Sequence, residues 1–313
     1  MKKALIIGGA GFVGNYLMDY LNKECKWSVA VTKMENERIQ KEKVDIYDLD
    51  ILEKDTIIKV LNSVNPDYIF HLAAQSSVKL SWKNPGLTID INIKGSINLL
   101  EAVREWGGKP RILMIGSGEE YGYISPETVP IQEETILHPG NIYAATKACQ
   151  NMLSKIYSDA YQMDIIMVRA FNHIGPAQSP IFVVSDFCKQ VAEIEKGKRE
   201  AVIRVGNLSA YRDFTDVKDV VAAYALLIEK GKKGETYNVG SGKAIQIQSI
   251  LKELLQLSSV EIKIEVDEAK LRPIDVPIIE ADIKKLVETT GWKRKYELTD
   301  TLKETLNYWR QTV

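Results

Sequence analysis

Along the first half of the chain, short apolar runs alternate with longer stretches in which apolar residues recur three and four positions apart. The runs Ala4–Ile7, Ser28–Thr32, Tyr68–Leu72, Arg111–Ile115 and Ile165–Arg169 predict buried strands. The stretches Phe12–Cys25, Thr56–Ser63, Thr88–Trp106 and Ile142–Tyr161 predict helices that lay one face on a sheet. Such alternation marks parallel βαβ units with right-handed crossovers, so the expected class is α/β, a Rossmann-type doubly wound parallel sheet.

Beyond Pro176 the rhythm loosens. Phe182–Lys196 and Asp216–Glu229 read as helices, Ala201–Val205 and Thr236–Val239 as strands, and Gln246–Leu257, Ala281–Thr289 and Thr299–Arg310 as further helices. This predicts a smaller C-terminal substrate-binding lobe that exchanges chain with the first domain. Residues 1–170 with roughly 215–240 form the dinucleotide-binding domain on this reading, and 171–214 with 241–313 form the lobe.

Composition narrows the function classes. A length of 313 residues with 45% hydrophobic content suffices for about two domains with a substantial core. Lys plus Arg number 41 against 42 for Asp plus Glu, a balance that supplies no general field for nucleic acid or an anionic membrane surface. Without an apolar stretch of eighteen residues, no transmembrane helix is expected. Lys2 and Lys3 before an apolar run mimic a short signal peptide, but the run is glycine-rich and continues into an amphipathic pattern, so a cytoplasmic protein is expected. Cys25, Cys149 and Cys188 lie far apart and histidines number 3, which predicts neither a disulfide framework nor a metal site.

Gly8, Gly11 and Gly14 follow a predicted strand and open a predicted helix. That spacing lets the backbone turn tightly, approach a pyrophosphate and present helix N-terminal amides to it, whereas a bare glycine-rich turn would need no ligand. At the end of the second strand, Thr32-Lys33 stands where an NAD-preferring site usually carries an acid. Lys33 is placed to meet a 2′-phosphate or to stand solvated at the surface; the first reading favours NADP(H), with NAD(H) possible. Asp50-Ile51 is a candidate to hold adenine through the carboxylate and the next backbone amide.

Tyr143 and Lys147 begin a predicted helix four residues apart, which puts phenol and ammonium on one face. A neighbouring ammonium stabilises phenolate and lowers the phenol pKa from its usual ~10, making a usable acid or base for a carbonyl. Ser117, in the stretch GSGEEYG at a strand's carboxyl end, can hydrogen-bond the same oxygen. Glu119 and Glu120 follow it as candidate acid/base groups, and Glu120 reads as structural or solvated.

With GGAGFVG, HLAAQSSV, DINIKGSINLLEA, GSGEEYG and YAATK in this order, the chain resembles the extended short-chain dehydrogenase/reductases of the nucleotide-sugar branch over essentially all its length. Ile7 departs from that pattern, which commonly has threonine before the first glycine. The resemblance implies that Ser117, Tyr143, Lys147 and Glu119 are catalytic and that Asn92 is structural. It implies cofactor contacts from Gly8, Gly11, Phe12, Val13, Gly14, Thr32, Lys33, Asp50, Ile51, Leu72, Ala73, Ala74, Tyr143 and Lys147. Helices Thr88–Trp106 and Ile142–Tyr161 resemble the pair that forms a four-helix dimer interface, implying a homodimer.

Three later motifs, FNHIGP from Phe171, VGNL with RDF from Val205, and RPIDVP from Arg272, are similar to the branch that handles GDP-mannose derivatives. They imply a GDP-sugar substrate held by Ser76, Ser117, Glu119, Asn172, Asn207, Arg212, Arg272 and Asp275, the two arginines clamping the diphosphate. A surface salt bridge is the alternative for either arginine. The activity implied is reduction of the C4 ketone of GDP-4-keto-6-deoxy-D-mannose to GDP-D-rhamnose. The alternative is another dehydratase or epimerase reaction of the same family, above all that of GDP-mannose 4,6-dehydratase. Glu119 matches the eliminating glutamate of that enzyme, as a relic, a sugar hydroxyl ligand or a working base, while Gly118 stands where that enzyme has serine. A dinucleotide-binding sensor without catalysis is disfavoured by the intact serine, tyrosine and lysine.

Overall fold

The structure, a computed structural model, describes residues 1–39, 41, 43–271 and 276–313. Seven strands form the central sheet in the spatial order Thr236–Val239, Ile165–Ala170, Arg111–Ser117, Tyr68–His71, Lys3–Ile7, Ser28–Lys33 and Asp45–Asp48. Every adjoining pair is parallel. Because successive side chains of a strand point to opposite faces, the two cores divide the strands residue by residue. Ala4, Ile6, Val29, Val31, Leu113 and Val168 meet helices Phe12–Lys23 and Val217–Lys230 on one side. Leu5, Ile7, Ala30, Ile112 and Met167 meet helices Lys54–Val64 and Gly95–Trp106 on the other. Burial on both faces explains why these strands read as continuous apolar runs.

The run expected as one helix from Thr88 to Trp106 is α-helical over Pro85–Ile89 and Gly95–Trp106, with a π-helical segment at Asp90–Lys94 between them. Buried Asn92 lies in that segment, donating to the Gln75 carbonyl at 3.1 Å and Thr146 Oγ1 at 2.9 Å and accepting from the Gln75 amide at 2.8 Å. It thereby ties the loop after Tyr68–His71 to the helix Ile142–Ala160.

The later part of the chain builds a third core around Phe187, Val191, Phe214, Ile250, Leu254, Leu302 and Trp309. It includes the short strands Asn172–Ile174, Tyr211–Asp216, Ala244–Gln246 and Ile278–Ile279, which join in one small sheet. Leu286 and Trp292, expected in the lobe, pack instead into the first core, because helix Lys284–Thr290 covers the helix Val217–Lys230. No helix among the described residues is long and apolar enough to cross a membrane.

Candidate active site

The chain order reverses at the sheet's centre, where Lys3–Ile7 adjoins Tyr68–His71, and ligands of open α/β sheets bind at such switch points. The glycine loop sits there. Gly8 adopts φ +83°, and a Cβ on it would stand 2.6 Å from the Ala73 backbone, so the loop lies flat against Ala73. A Cβ on Gly14 would meet the Gly9 carbonyl at 2.3 Å, which brings the helix start onto the strand end. Gly11 differs: the nearest atom to its Cβ position is the Gly8 carbonyl at 4.0 Å, and no side chain caps the helix Phe12–Lys23 that follows it. Uncapped first-turn amides beside open space at a glycine are a built place for a phosphate.

The other candidates for the cofactor divide. Buried Thr32 braces the loop, its hydroxyl accepting from the Gly8 amide at 3.1 Å and its carbonyl from the Gly9 amide at 2.8 Å. Lys33 pairs with the Asp48 carboxylate on the neighbouring strand, so the charge expected to meet a 2′-phosphate is shared with an acid. One Asp50 oxygen accepts from the Leu52 amide at 2.9 Å, and Ile51 is buried beneath Gly95. Ala74 and exposed Ser76 follow in the loop after Tyr68–His71.

Ser117 ends its strand and opens the one-turn 3₁₀ helix Gly118–Tyr121. Its hydroxyl accepts from the Glu119 amide at 3.2 Å, while the Glu120 carboxylate reaches back to the Ser117 amide at 2.8 Å. This is the capping box that S-x-x-E predicts, a signal visible in GSGEEYG but not read there. Glu120, expected to be structural or solvated, is fully buried and ion-paired with Arg169 at 3.0 Å, so the solvated alternative is excluded. Glu119 Oε2 accepts from Asn141 Nδ2 at 3.2 Å, and Asn141 Oδ1 caps the helix Ile142–Ala160 by accepting from Ala144 at 2.8 Å. Asn141, also not anticipated, therefore links the serine loop to the helix that carries tyrosine and lysine.

Tyr143 and Lys147 are both buried on that helix. Burial pushes the phenol above its ordinary value and interaction with the Ser117 side chain pulls it part-way back, while Glu119 and Glu120 raise it further. Lys147 is expected to lower that pKa, and its ammonium is hydrogen-bonded to other groups. Its long side chain reaches the Ile115 carbonyl at 2.7 Å and Gln150 Oε1 at 3.0 Å. Burial brings its ammonium down to about 8, with Glu120 opposing the shift.

Of the residues expected to hold a nucleotide sugar, Asn172 pairs in register with Phe214, on the strand that also carries Arg212 two residues earlier. Arg212 is buried, and its Nη1 donates to the Tyr211 carbonyl at 2.8 Å and the Val276 carbonyl at 2.7 Å. Asn207 lies exposed, its side chain holding Ser209 at 2.9 Å and 2.7 Å. Arg272 and Asp275 lie outside the described residues. The turn after Asn172 reaches the cofactor side: His173 stacks on Phe12 with centroids 6.0 Å apart, and the Tyr16 hydroxyl donates to the Pro176 carbonyl at 3.0 Å. Among the described residues no His, Cys, Asp and Glu group is arranged to hold a metal.

Comparison with known proteins accords with this geometry. A family model described as GDP-mannose 4,6 dehydratase matches residues 5–305. Along its entire length the chain is 31% identical to the GDP-6-deoxy-D-mannose reductase of Pseudomonas aeruginosa, covering 98% of that protein. The solved structure of RMD from Pseudomonas aeruginosa complexed with NADPH matches with a TM-score of 0.88 at 30% identity, over 100% of both chains. The UDP-glucose 4-epimerase of Thermus thermophilus, solved in complex with NAD, matches with a TM-score of 0.88 at 26% identity, over 99% of this chain and 100% of that one. With a glycine cradle at the switch point, serine beside tyrosine at the sheet edge and these full-length likenesses, the chain belongs to the GDP-mannose 4,6-dehydratase-like family of extended short-chain dehydrogenase/reductases, an NAD(P)-dependent group of reductases, dehydratases and epimerases.

Proposed function

We propose that the protein reduces the C4 ketone of GDP-4-keto-6-deoxy-D-mannose to give GDP-D-rhamnose, with NADPH as hydride donor and NADH as a second donor. The observation that carries this reading is the meeting of Ser117 and Tyr143 at the sheet's carboxyl edge, in a chain 31% identical over its length to a GDP-6-deoxy-D-mannose reductase. Gly8, Gly11, Phe12, Val13 and Gly14 fit a pyrophosphate, and when bound the cofactor supplies the hydride to C4. Tyr143 gives its phenolic proton to the carbonyl oxygen as that oxygen becomes an alcohol, and burial keeps the proton on the phenol until then. Ser117, whose oxygen accepts from the Glu119 amide and whose hydroxyl meets Tyr143, would turn that hydroxyl proton from the phenol to the carbonyl oxygen when the sugar binds. Lys147 offers positive charge one helical turn from Tyr143 as negative charge grows on the oxygen. Asn172, Arg212 and Arg272 hold the diphosphate, so that binding energy remote from the reaction positions the keto group.

Dehydration of GDP-mannose is the second reading, and Glu119 favours it. Its carboxylate stays two residues past Ser117, held by the amide that caps the Tyr143 helix. There it would take the C5 proton while water leaves, with no net consumption of cofactor. Incubation with GDP-mannose alone, and with the 4-keto-6-deoxy sugar plus NADPH or NADH, separates the two by product identification. Cofactor oxidation only with the ketone is expected; water loss from GDP-mannose without added reductant would overturn the reductase reading. A homodimer is part of the proposal, because Leu87, Ile89, Met152 and Ile156 stand exposed on neighbouring helices.

A further inference from the structure

Beneath Ser117 lies a charge that the proposed chemistry does not use. The buried Glu120 carboxylate accepts from the Ser117 amide at 2.8 Å, from Asn151 Nδ2 at 2.9 Å and 2.8 Å, and from Arg169 Nε at 3.0 Å. Arg169 Nη1 continues the chain to the Tyr121 hydroxyl at 2.9 Å and the Glu133 carbonyl at 2.8 Å. Such a pair is poor ground for stability, because desolvation consumes much of the attraction and well-packed apolar residues often do as well. Its geometry is more informative. Tyr143, Lys147 and Asn151 stand at i, i+4 and i+8, so all three lie along one face of the helix Ile142–Ala160, and all three are buried. Glu120 therefore joins the turn that carries Ser117 to the helix face that carries Tyr143. Gly116 leaves room for it: a Cβ there would stand 2.2 Å from Glu120 Oε1 and 2.6 Å from Asn151 Nδ2.

We infer that Glu120 is a positioning residue, which, gripped by Asn151 and Arg169, sets the Ser117 backbone so that the Ser117 and Tyr143 hydroxyls reach one carbonyl oxygen together. The inference rests on the Ser117–Tyr143 reading of the site, and applies to whichever nucleotide sugar is turned over. Two variants of the full chain test it. Glu120→Gln removes the charge, and Asn151→Ala releases the helix side while leaving the Glu120–Arg169 pair intact. Each is compared with wild type in thermal unfolding, in NADPH affinity by fluorescence titration, and in steady-state kinetics with the 4-keto-6-deoxy sugar.

Misplacing a catalytic group by about 1 Å costs up to about 100-fold, so kcat is expected to fall about 10–100-fold. The NADPH Kd and both KM values should stay within about twofold, the pattern of an interaction that matters only in the transition state. A merely structural Glu120 would lower the unfolding temperature yet leave kcat of the folded protein unchanged, and that outcome overturns the inference. If Glu120→Gln fails to fold, Asn151→Ala decides alone. A wild-type protein that dehydrates GDP-mannose but leaves the ketone unreduced sinks the reductase reading instead, and the same kcat comparison is then made on dehydration.

Discussion

Lys147 shows how far a side chain's chemistry departs from its spacing. Its place one turn after Tyr143 follows from the sequence, but its hydrogen bonds go to Ile115 and Gln150, and burial lowers its pKa to about 8. Tyr143 moves the other way and holds its proton well into the alkaline range. Below pH 8 both are protonated; above it the ammonium is lost first, and with it the charge proposed to favour the forming alkoxide. The kcat/KM for ketone reduction, which reports groups of the free enzyme, is therefore expected to fall as pH rises through about 8. In Lys147→Arg, whose charge persists, activity is lower but that limb should vanish; a wild-type profile flat to about pH 10, the usual tyrosine range, would contradict the assignment. His71, driven down to about 3 by burial, stays neutral throughout and adds no limb near neutrality.

The strand–loop–helix unit at the N-terminus was legible because glycine spacing, strand and helix are all local signals. Its glycines nonetheless do different work. At Gly14 a Cβ would strike backbone, so Gly14→Ala is expected to cost about 1–3 kcal/mol of stability, as forced overpacking does. Gly11 has an ordinary φ of −69° and open space, so Gly11→Ala should melt like wild type while cofactor affinity falls by about tenfold, or ~1.4 kcal/mol. Thermal unfolding and a fluorescence titration of both variants check this; equal effects of both substitutions on both readouts would remove the distinction. The π-helical segment Asp90–Lys94 was not legible, since a local widening of the helix barely disturbs the apolar period. Nor was the strand Asn172–Ile174, whose three residues are too few to carry a period of two.

Over the whole molecule, the exposed apolar residues of neighbouring helices bear on assembly. Ile156 is 56% exposed in the single chain, so Ile156→Asp should fold normally yet halve the particle mass seen by light scattering, from twice 35.3 kDa to one chain. A wild-type protein that already runs as one chain would refute the dimer. The α/β class, the glycine loop between the first strand and its helix, and the place of Lys147 one turn after Tyr143 depend on periods and spacings within single elements, and those the amino-acid sequence determined unaided. What became of the charges, only the tertiary structure decided. Lys33 meets Asp48, Glu120 meets Asn151 and Arg169, and Arg212 meets the Val276 carbonyl, partners 15, 31, 49 and 64 residues away that the fold alone brings within reach. A buried charge takes its pKa and its role from such neighbours, and neither composition nor spacing says which they are.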